Sequence, residues 1–117
     1  MTTSSLWLYD GLRAMDYLSS RTDLVDPSRL GMAGCSGGGT QTSYLSSFDE
    51  RVAASSTACY ASDLAVDFTW EGSADGEQRW PGALPLHLNK ADLFVARAPK
   101  ATHLCLTTND GCFPLAG

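Results

Sequence analysis

The chain is poor in positive charge and contains no long apolar run. Its 117 residues carry 8 Lys and Arg against 13 Asp and Glu, which gives a formal net charge of -5. This balance opposes attraction to nucleic acid or to anionic membranes, so neither is an expected partner. No window approaches the roughly 20 apolar residues that span a bilayer, and residues 1–5 lack the basic start of a secretion signal. We therefore expect a cytoplasmic protein.

Histidine is scarce, and the spacing of the cysteines and histidines does not indicate a metal site. The four cysteines lie far apart, without a Cys-x-x-Cys pair or a histidine at zinc-ligand spacing. We expect neither a metal nor a cofactor. The composition is 44% hydrophobic and 18% charged, which is enough to build a core without disulfides. All four cysteines are interpreted as reduced and buried. Cys35 could instead be reactive, but nothing basic adjoins it.

Apolar spacing predicts alternating helices and strands in one domain over residues 1–117. A strand, helix, strand sequence forms a right-handed parallel crossover, so we expect an α/β fold with about three parallel strands. Ser4 or Ser5 is the expected cap of the first helix, and the first strand is expected to be buried on both faces. Residues 61–85 read as a long loop excursion. The predicted helices are 5–21, 40–48 and 84–97, and the predicted strands are 29–34, 52–60 and 102–107.

The segment Gly34-Cys35-Ser36-Gly37-Gly38 follows a predicted strand and opens a predicted helix. In this context the pattern predicts a nucleophile elbow, with Ser36 as nucleophile and small residues required at Gly34 and Gly38. The Gly37 N–H, at the helix N-terminus, is the expected oxyanion donor. A tight turn or a phosphate loop is the alternative. The phosphate loop is disfavoured because no Lys-Ser or Lys-Thr follows the glycines.

Longer stretches of the chain resemble the bacterial acetyl xylan esterase and dienelactone hydrolase-like α/β-hydrolases, from about residue 6 to residue 117. They are residues 10–18, 25–31, 34–42 and 91–93, followed by Ala98-Pro99. The resemblance implies a partial α/β-hydrolase fold and hydrolysis of a small-molecule ester of short acyl length through an acyl-enzyme on Ser36. It also implies that Asp110, after the third strand, is the acid of the triad. A turn-forming Asp before Gly is the alternative.

The same resemblance places a catalytic histidine after the acid, and no residue of this chain matches it. The histidines, His87 and His103, both precede Asp110, so each is interpreted as a packing or surface residue. The alternative is that one of them, from this chain or from a second copy, reaches Ser36 as a substitute catalytic base. The strands that precede the first helix in the family, and the loop that donates the second oxyanion amide, have no counterpart either. We expect a fragment, or a minimal relative that completes itself as a homo-oligomer through an exposed sheet edge.

Two other functions stay open at this stage. One is a noncatalytic piece of a hydrolase that acts only by association, and the absent base favours it. The other is a peptidase of the same fold, which shares the elbow. Charged and aromatic residues in the excursion either line a pocket or, as is more common, anchor the loop. They are Trp70, Glu71, Asp75, Glu77 and Trp80.

Overall fold

Three parallel strands lie side by side in chain order in the computed structural model, which describes residues 1–69 and 75–115. The central strand pairs with both others, so the predicted α/β class and the three parallel strands are confirmed. The strands are β1 (Leu30–Cys35), β2 (Val52–Ala58) and β3 (Ala101–Cys105). The helices are α1 (Thr3–Ser20), α2 (Gly37–Phe48), α3 (Leu64–Thr69) and α4 (Lys90–Ala96), with short 3-10 turns at Pro27–Arg29 and Gly76–Gln78.

Helix α1 begins with a reciprocal capping box, and the prediction that Ser4 or Ser5 caps this helix is wrong. Thr2, not Ser4 or Ser5, is the cap, and its Oγ1 accepts a hydrogen bond from the Ser5 N–H at 3.2 Å. Ser5 Oγ in turn accepts from the Thr2 N–H at 2.9 Å. The box satisfies two amides that would otherwise lack acceptors, so the helix starts two residues earlier than its apolar pattern indicates.

Helix α4 begins six residues later than predicted because polar residues set its start. Asn89 Oδ1 accepts from the Lys90 N–H at 2.7 Å, and Asp92 Oδ2 accepts from the Asn89 N–H at 2.7 Å. The preceding residues 81–87 form turns that end at His87, which has a φ of 54°. The excursion also contains α3, which its weak apolar pattern did not predict.

The helices cover one face of the sheet. Helix α2 packs against β1 and β2, and α1 and α4 pack against α2. In β1 the side of Leu30 and Met32 is buried or half-buried, whereas Gly31, Ala33 and Cys35 are exposed. The prediction that this strand is buried on both faces is wrong, because in residues 1–69 and 75–115 no helix packs on its second face.

The prediction that the four thiols are buried is also wrong. All four cysteines are free as expected, but Cys35, Cys105 and Cys112 are exposed and Cys59 is half-buried. The apolar core lies instead between the sheet and the helices, in two clusters of buried side chains. One cluster contains Tyr44, Tyr60, Leu93 and Phe113, and the other contains Met15, Leu30 and Val52. Across the described ranges, no helix combines the length and apolarity needed to cross a membrane.

Candidate active site

Ser36 occupies a strained backbone position between β1 and α2. Its φ of 56° and ψ of -121° lie outside the regions that residues with a side chain ordinarily adopt. Such conformations cost about 1–3 kcal/mol and persist where the surrounding structure enforces them. Here the Ser36 N–H donates to the Ala58 carbonyl oxygen of β2 at 3.0 Å, and the Ser36 carbonyl oxygen accepts from the Thr40 N–H at 2.9 Å. The junction therefore has the sharp strand-to-helix geometry that the motif predicts.

Glycines on both sides of Ser36 allow this close turn. A Cβ on Gly34 would lie 2.2 Å from the Gly38 carbonyl oxygen, and a Cβ on Gly39 would lie 2.5 Å from the Ala58 carbonyl oxygen. A Cβ on Gly38 would meet nothing within 4 Å. The prediction that position 34 requires a small residue is therefore confirmed. The prediction for position 38 is wrong, because the second position that excludes a Cβ is Gly39, which faces β2.

The hydroxyl of Ser36 is exposed and is not used in capping. The residue is the N-cap of α2, yet its side chain makes no cap hydrogen bond. First-turn amides lack acceptors within their own helix, and the Gly37 N–H is one of them. The positive end of the helix dipole adds to its attraction for a developing negative charge. An exposed hydroxyl and a nearby donor amide are two of the three groups needed for attack on a carbonyl, and the third is a base that takes the hydroxyl proton.

Asp110 lies in the loop after β3 and is held by three hydrogen bonds. Its Oδ1 accepts from the backbone N–H groups of Cys112 and Phe113, both at 2.9 Å, and its Oδ2 accepts from Thr107 Oγ1 at 3.0 Å. The Phe113 amide, then the Cys112 amide and the Thr107 hydroxyl, lower the pKa of Asp110 below its usual value. The carboxylate is consequently ionised and fixed in orientation at neutral pH.

Ser36 and Asp110 lie on the same edge of the sheet. Ser36 follows β1, Cys59 follows β2, and Asp110 follows β3, and carboxyl ends of parallel strands meet at one edge. The negative charge of Asp110 reaches the Cys59 thiol, whose pKa is raised chiefly by its hydrogen bond with Cys35 and further by this charge. The structure thus gathers the predicted nucleophile, the predicted acid and two thiols at one edge.

The two histidines lie elsewhere. His103 is in β3, in register with Ser56, and its Nδ1 is 2.9 Å from Ser56 Oγ on the uncovered face. His87 is exposed in the turn before α4. Among the described residues, no hydrogen bond joins either imidazole to Ser36 or to Asp110.

The side chain of Lys90 is fully buried beside the loop that follows β3, and the sequence did not predict this. Lys90 Nζ donates to Asp67 Oδ2, to the Tyr60 carbonyl oxygen at 3.1 Å and to Ser62 Oγ at 2.9 Å. It also lies 4.5 Å from the centre of the Phe113 ring. Burial lowers the pKa of Lys90, while the ion pair with Asp67 opposes that shift. Nothing in the sequence distinguishes this lysine from one on a helix surface.

The excursion residues divide between loop anchors and residues outside the described ranges. Tyr44 Oη donates to the Glu77 carbonyl oxygen at 2.8 Å, and Trp80 packs edge-on against Tyr44 with ring centres 6.1 Å apart. Trp80 also lines an apolar groove of about 420 Å³ between α1, α2 and α4. None of the described residues that line this groove belongs to the elbow segment 34–40. Trp70 and Glu71 lie outside the described residues.

The chain is similar to one curated bacterial protein. That protein, named "Putative hydrolase YtaP", from Bacillus subtilis (strain 168), is 35% identical over 122 aligned positions that cover 100% of this chain. The alignment covers 40% of YtaP, so the chain spans well under half the length of this relative. No protein-family model and no solved structure matches the chain. The similarity to YtaP supports a hydrolase in general. The narrower assignment to acetyl xylan esterases stays a prediction.

Proposed function

We propose that the chain carries the nucleophile and the acid of a serine hydrolase that cleaves small carboxylic esters. The observation that carries this proposal is the backbone of Ser36, which has a φ of 56° at the junction of β1 and α2. The residue is exposed there, and its hydroxyl makes no capping hydrogen bond. Strain at a residue with a side chain is retained where it serves a function. The similarity to a protein named as a hydrolase supports the same chemistry.

In the proposed reaction, Ser36 Oγ attacks the ester carbonyl carbon while an imidazole takes its proton. The Gly37 N–H donates to the oxyanion of the tetrahedral intermediate, which collapses to an acyl-enzyme as the alcohol leaves with the proton. Water then attacks the acyl-enzyme through a second tetrahedral intermediate, and the carboxylic acid product is released. A short acyl group such as acetyl is proposed from the family resemblance.

Asp110 is suited to orient that imidazole. A carboxylate offers about four lone-pair positions, and three of those on Asp110 are filled by Thr107, Cys112 and Phe113. The remaining position, on Oδ2, can accept an imidazole N–H. In the described conformation neither His87 nor His103 occupies it. The imidazole therefore comes from a rearranged histidine of this chain or from a histidine outside it.

Free imidazole tests this site whichever histidine serves as the natural base. We expect p-nitrophenyl acetate hydrolysis by the purified chain to rise with added imidazole beyond the sum of the two separate rates. Ser36→Ala should abolish this excess, and Asp110→Asn should reduce it at least tenfold. Ser20→Ala is the matched control, because it removes an exposed hydroxyl at the end of α1. Covalent labelling by an organophosphonate probe, measured as an increase in intact mass, tests the reactivity of Ser36 independently of the hydrolysis rates.

A noncatalytic role by association is the second candidate, and the uncovered strand β3 favours it. All five residues of this strand are exposed. If Ser36→Ala leaves both hydrolysis and probe labelling unchanged, with or without imidazole, the hydrolase proposal is wrong. A concentration-dependent mass by light scattering would then support association, including the expected homo-oligomer. A p-nitroanilide substrate measured in parallel would identify a peptidase of the same fold.

A further inference from the structure

Two thiols meet beside the elbow although they belong to different strands. Cys35 ends β1 and pairs in register with Ala58, while Cys59 is the residue after β2. The two thiols lie close enough to influence one another, since Cys35 is the main cause of the raised pKa of the Cys59 thiol. In a regular strand, Cys59 would point to the face opposite that of Cys35 and Ala58. The Cys59 φ of 50° interrupts this alternation and accounts for the contact.

The spacing of the strands allows a disulfide between these two cysteines. Adjacent strands lie about 4.8 Å apart, and disulfides join Cα atoms separated by about 4.4–6.8 Å. Cys105 pairs with Ala58 from its other side, so it lies two strand spacings, about 9.6 Å, from Cys35. The Cys59 N–H donates to the Cys105 carbonyl oxygen at 3.0 Å. Cys105 is therefore a possible partner for Cys59 only.

We propose that Cys35 and Cys59 form a redox-active dithiol that hydrogen peroxide converts into an intramolecular disulfide. Both thiols are free, and the exposure of Cys35 gives the oxidant access. The thiolate of Cys35 attacks one peroxide oxygen, the O–O bond breaks, and hydroxide leaves, which yields a sulfenic acid. The Cys59 sulfur then attacks the Cys35 sulfur, and its proton leaves with the hydroxyl group as water. Two thiols lose two electrons in total, and peroxide becomes two waters.

This disulfide would bracket the nucleophile. Cys35 precedes Ser36 and Cys59 follows Ala58, and the Ser36 N–H donates to the Ala58 carbonyl oxygen between them at 3.0 Å. The cross-link would join the two chain segments that hold the elbow on either side of this hydrogen bond. Its formation does not depend on whether Ser36 hydrolyses an ester, so the two proposals can fail separately.

Tryptic mapping of the oxidised chain provides the test. Cleavage after Arg29, Arg51, Arg79 and Lys100 places Cys35 in peptide 30–51, Cys59 in peptide 52–79, and the other two cysteines in peptide 101–117. The reduced chain at low concentration is treated with hydrogen peroxide, and its remaining thiols are blocked with N-ethylmaleimide. We expect two blocked thiols in place of four, cross-linked peptides 30–51 and 52–79, and full reversal by dithiothreitol.

Matched variants identify the partners. Cys105→Ser and Cys112→Ser should still form the cross-link, whereas Cys35→Ser and Cys59→Ser should lose it; each substitution retains an isosteric hydroxyl. A cross-link to peptide 101–117, a disulfide between two chains, or four thiols that stay free or pass only to sulfinic acid would overturn the proposal. Each of these outcomes is measured on the chain without substitutions, so none of them depends on whether a variant folds.

Discussion

The backbone of Gly38 occupies the space where a side chain at Gly34 would begin. A Cβ on Gly34 would lie 2.2 Å from the Gly38 carbonyl oxygen and 2.3 Å from its carbonyl carbon. The reverse substitution causes no clash, since a Cβ on Gly38 would meet nothing within 4 Å. The two glycines of the motif therefore differ in what a substitution would do.

Gly34→Ala should destabilise the chain, and Gly38→Ala should not. The added Cβ at Gly34 must displace the backbone of the first turn of α2, which we expect to lower the free energy of unfolding by about 2–3 kcal/mol. At Gly38 alanine favours the helix, and a change within about 1 kcal/mol is expected. Urea denaturation measures both, and probe labelling of Ser36 should be lost in Gly34→Ala alone. Equal effects of the two variants would contradict the described geometry of the elbow.

Ser36→Gly should make the chain more stable while removing the proposed nucleophile. Glycine adopts a positive φ without a Cβ penalty, so relief of strain should raise the free energy of unfolding by about 1 kcal/mol. Ser36→Ala is the control, because it removes the same hydroxyl and keeps the penalty. Thermal and urea unfolding should separate the two variants, and both should lose phosphonate labelling. A glycine variant no more stable than the alanine variant would mean that Ser36 is not strained.

Asp110→Asn should lower the melting temperature at neutral pH, and the deficit should shrink in acid. The amides of Phe113 and Cys112 are the main causes of the lowered pKa of Asp110 in the folded chain. The stabilisation by its ionised form is therefore complete above the unfolded pKa of about 3.9, and is lost as the pH falls through the lower folded pKa. Melting curves from pH 7 to pH 3 test this. Asp10→Asn removes an exposed carboxylate from α1 and controls for net charge; a deficit independent of pH would count against the prediction.

Lys90→Met should be among the most destabilising single substitutions in the chain. It leaves the buried carboxylate of Asp67 with the Ser62 hydroxyl but without a cation, at a cost of about 3–5 kcal/mol. The double variant Lys90→Met/Asp67→Leu should recover a substantial part of that loss, because no unpaired charge remains. Lys100→Met is the control: its partner Glu50 is 94% exposed, and such surface pairs contribute about 0–1 kcal/mol. Similar losses in both single variants would contradict the role given to burial.

The sequence by itself determined the class of fold and the position of the elbow. Short runs between turn-forming or polar residues predicted all three strands to within two residues at each end, because such patterns are local properties of the chain. The roles of nucleophile for Ser36 and oxyanion donor for the Gly37 N–H were predicted from the same local pattern, and they stay proposals. Asp110 was assigned by resemblance and by its position after the third strand, and its role stays a proposal.

Only the tertiary structure decided what covers the sheet and what surrounds each polar side chain. The exposed face of β1 and the exposed cysteines depend on which elements pack together, and that is set by contacts distant in sequence. The same holds for Lys90, which the sequence presents as an ordinary helix residue and the fold buries against Asp67. The contact between Cys35 and Cys59 needed both the pairing of β1 with β2 and a positive φ at Cys59, neither of which a one-dimensional pattern records.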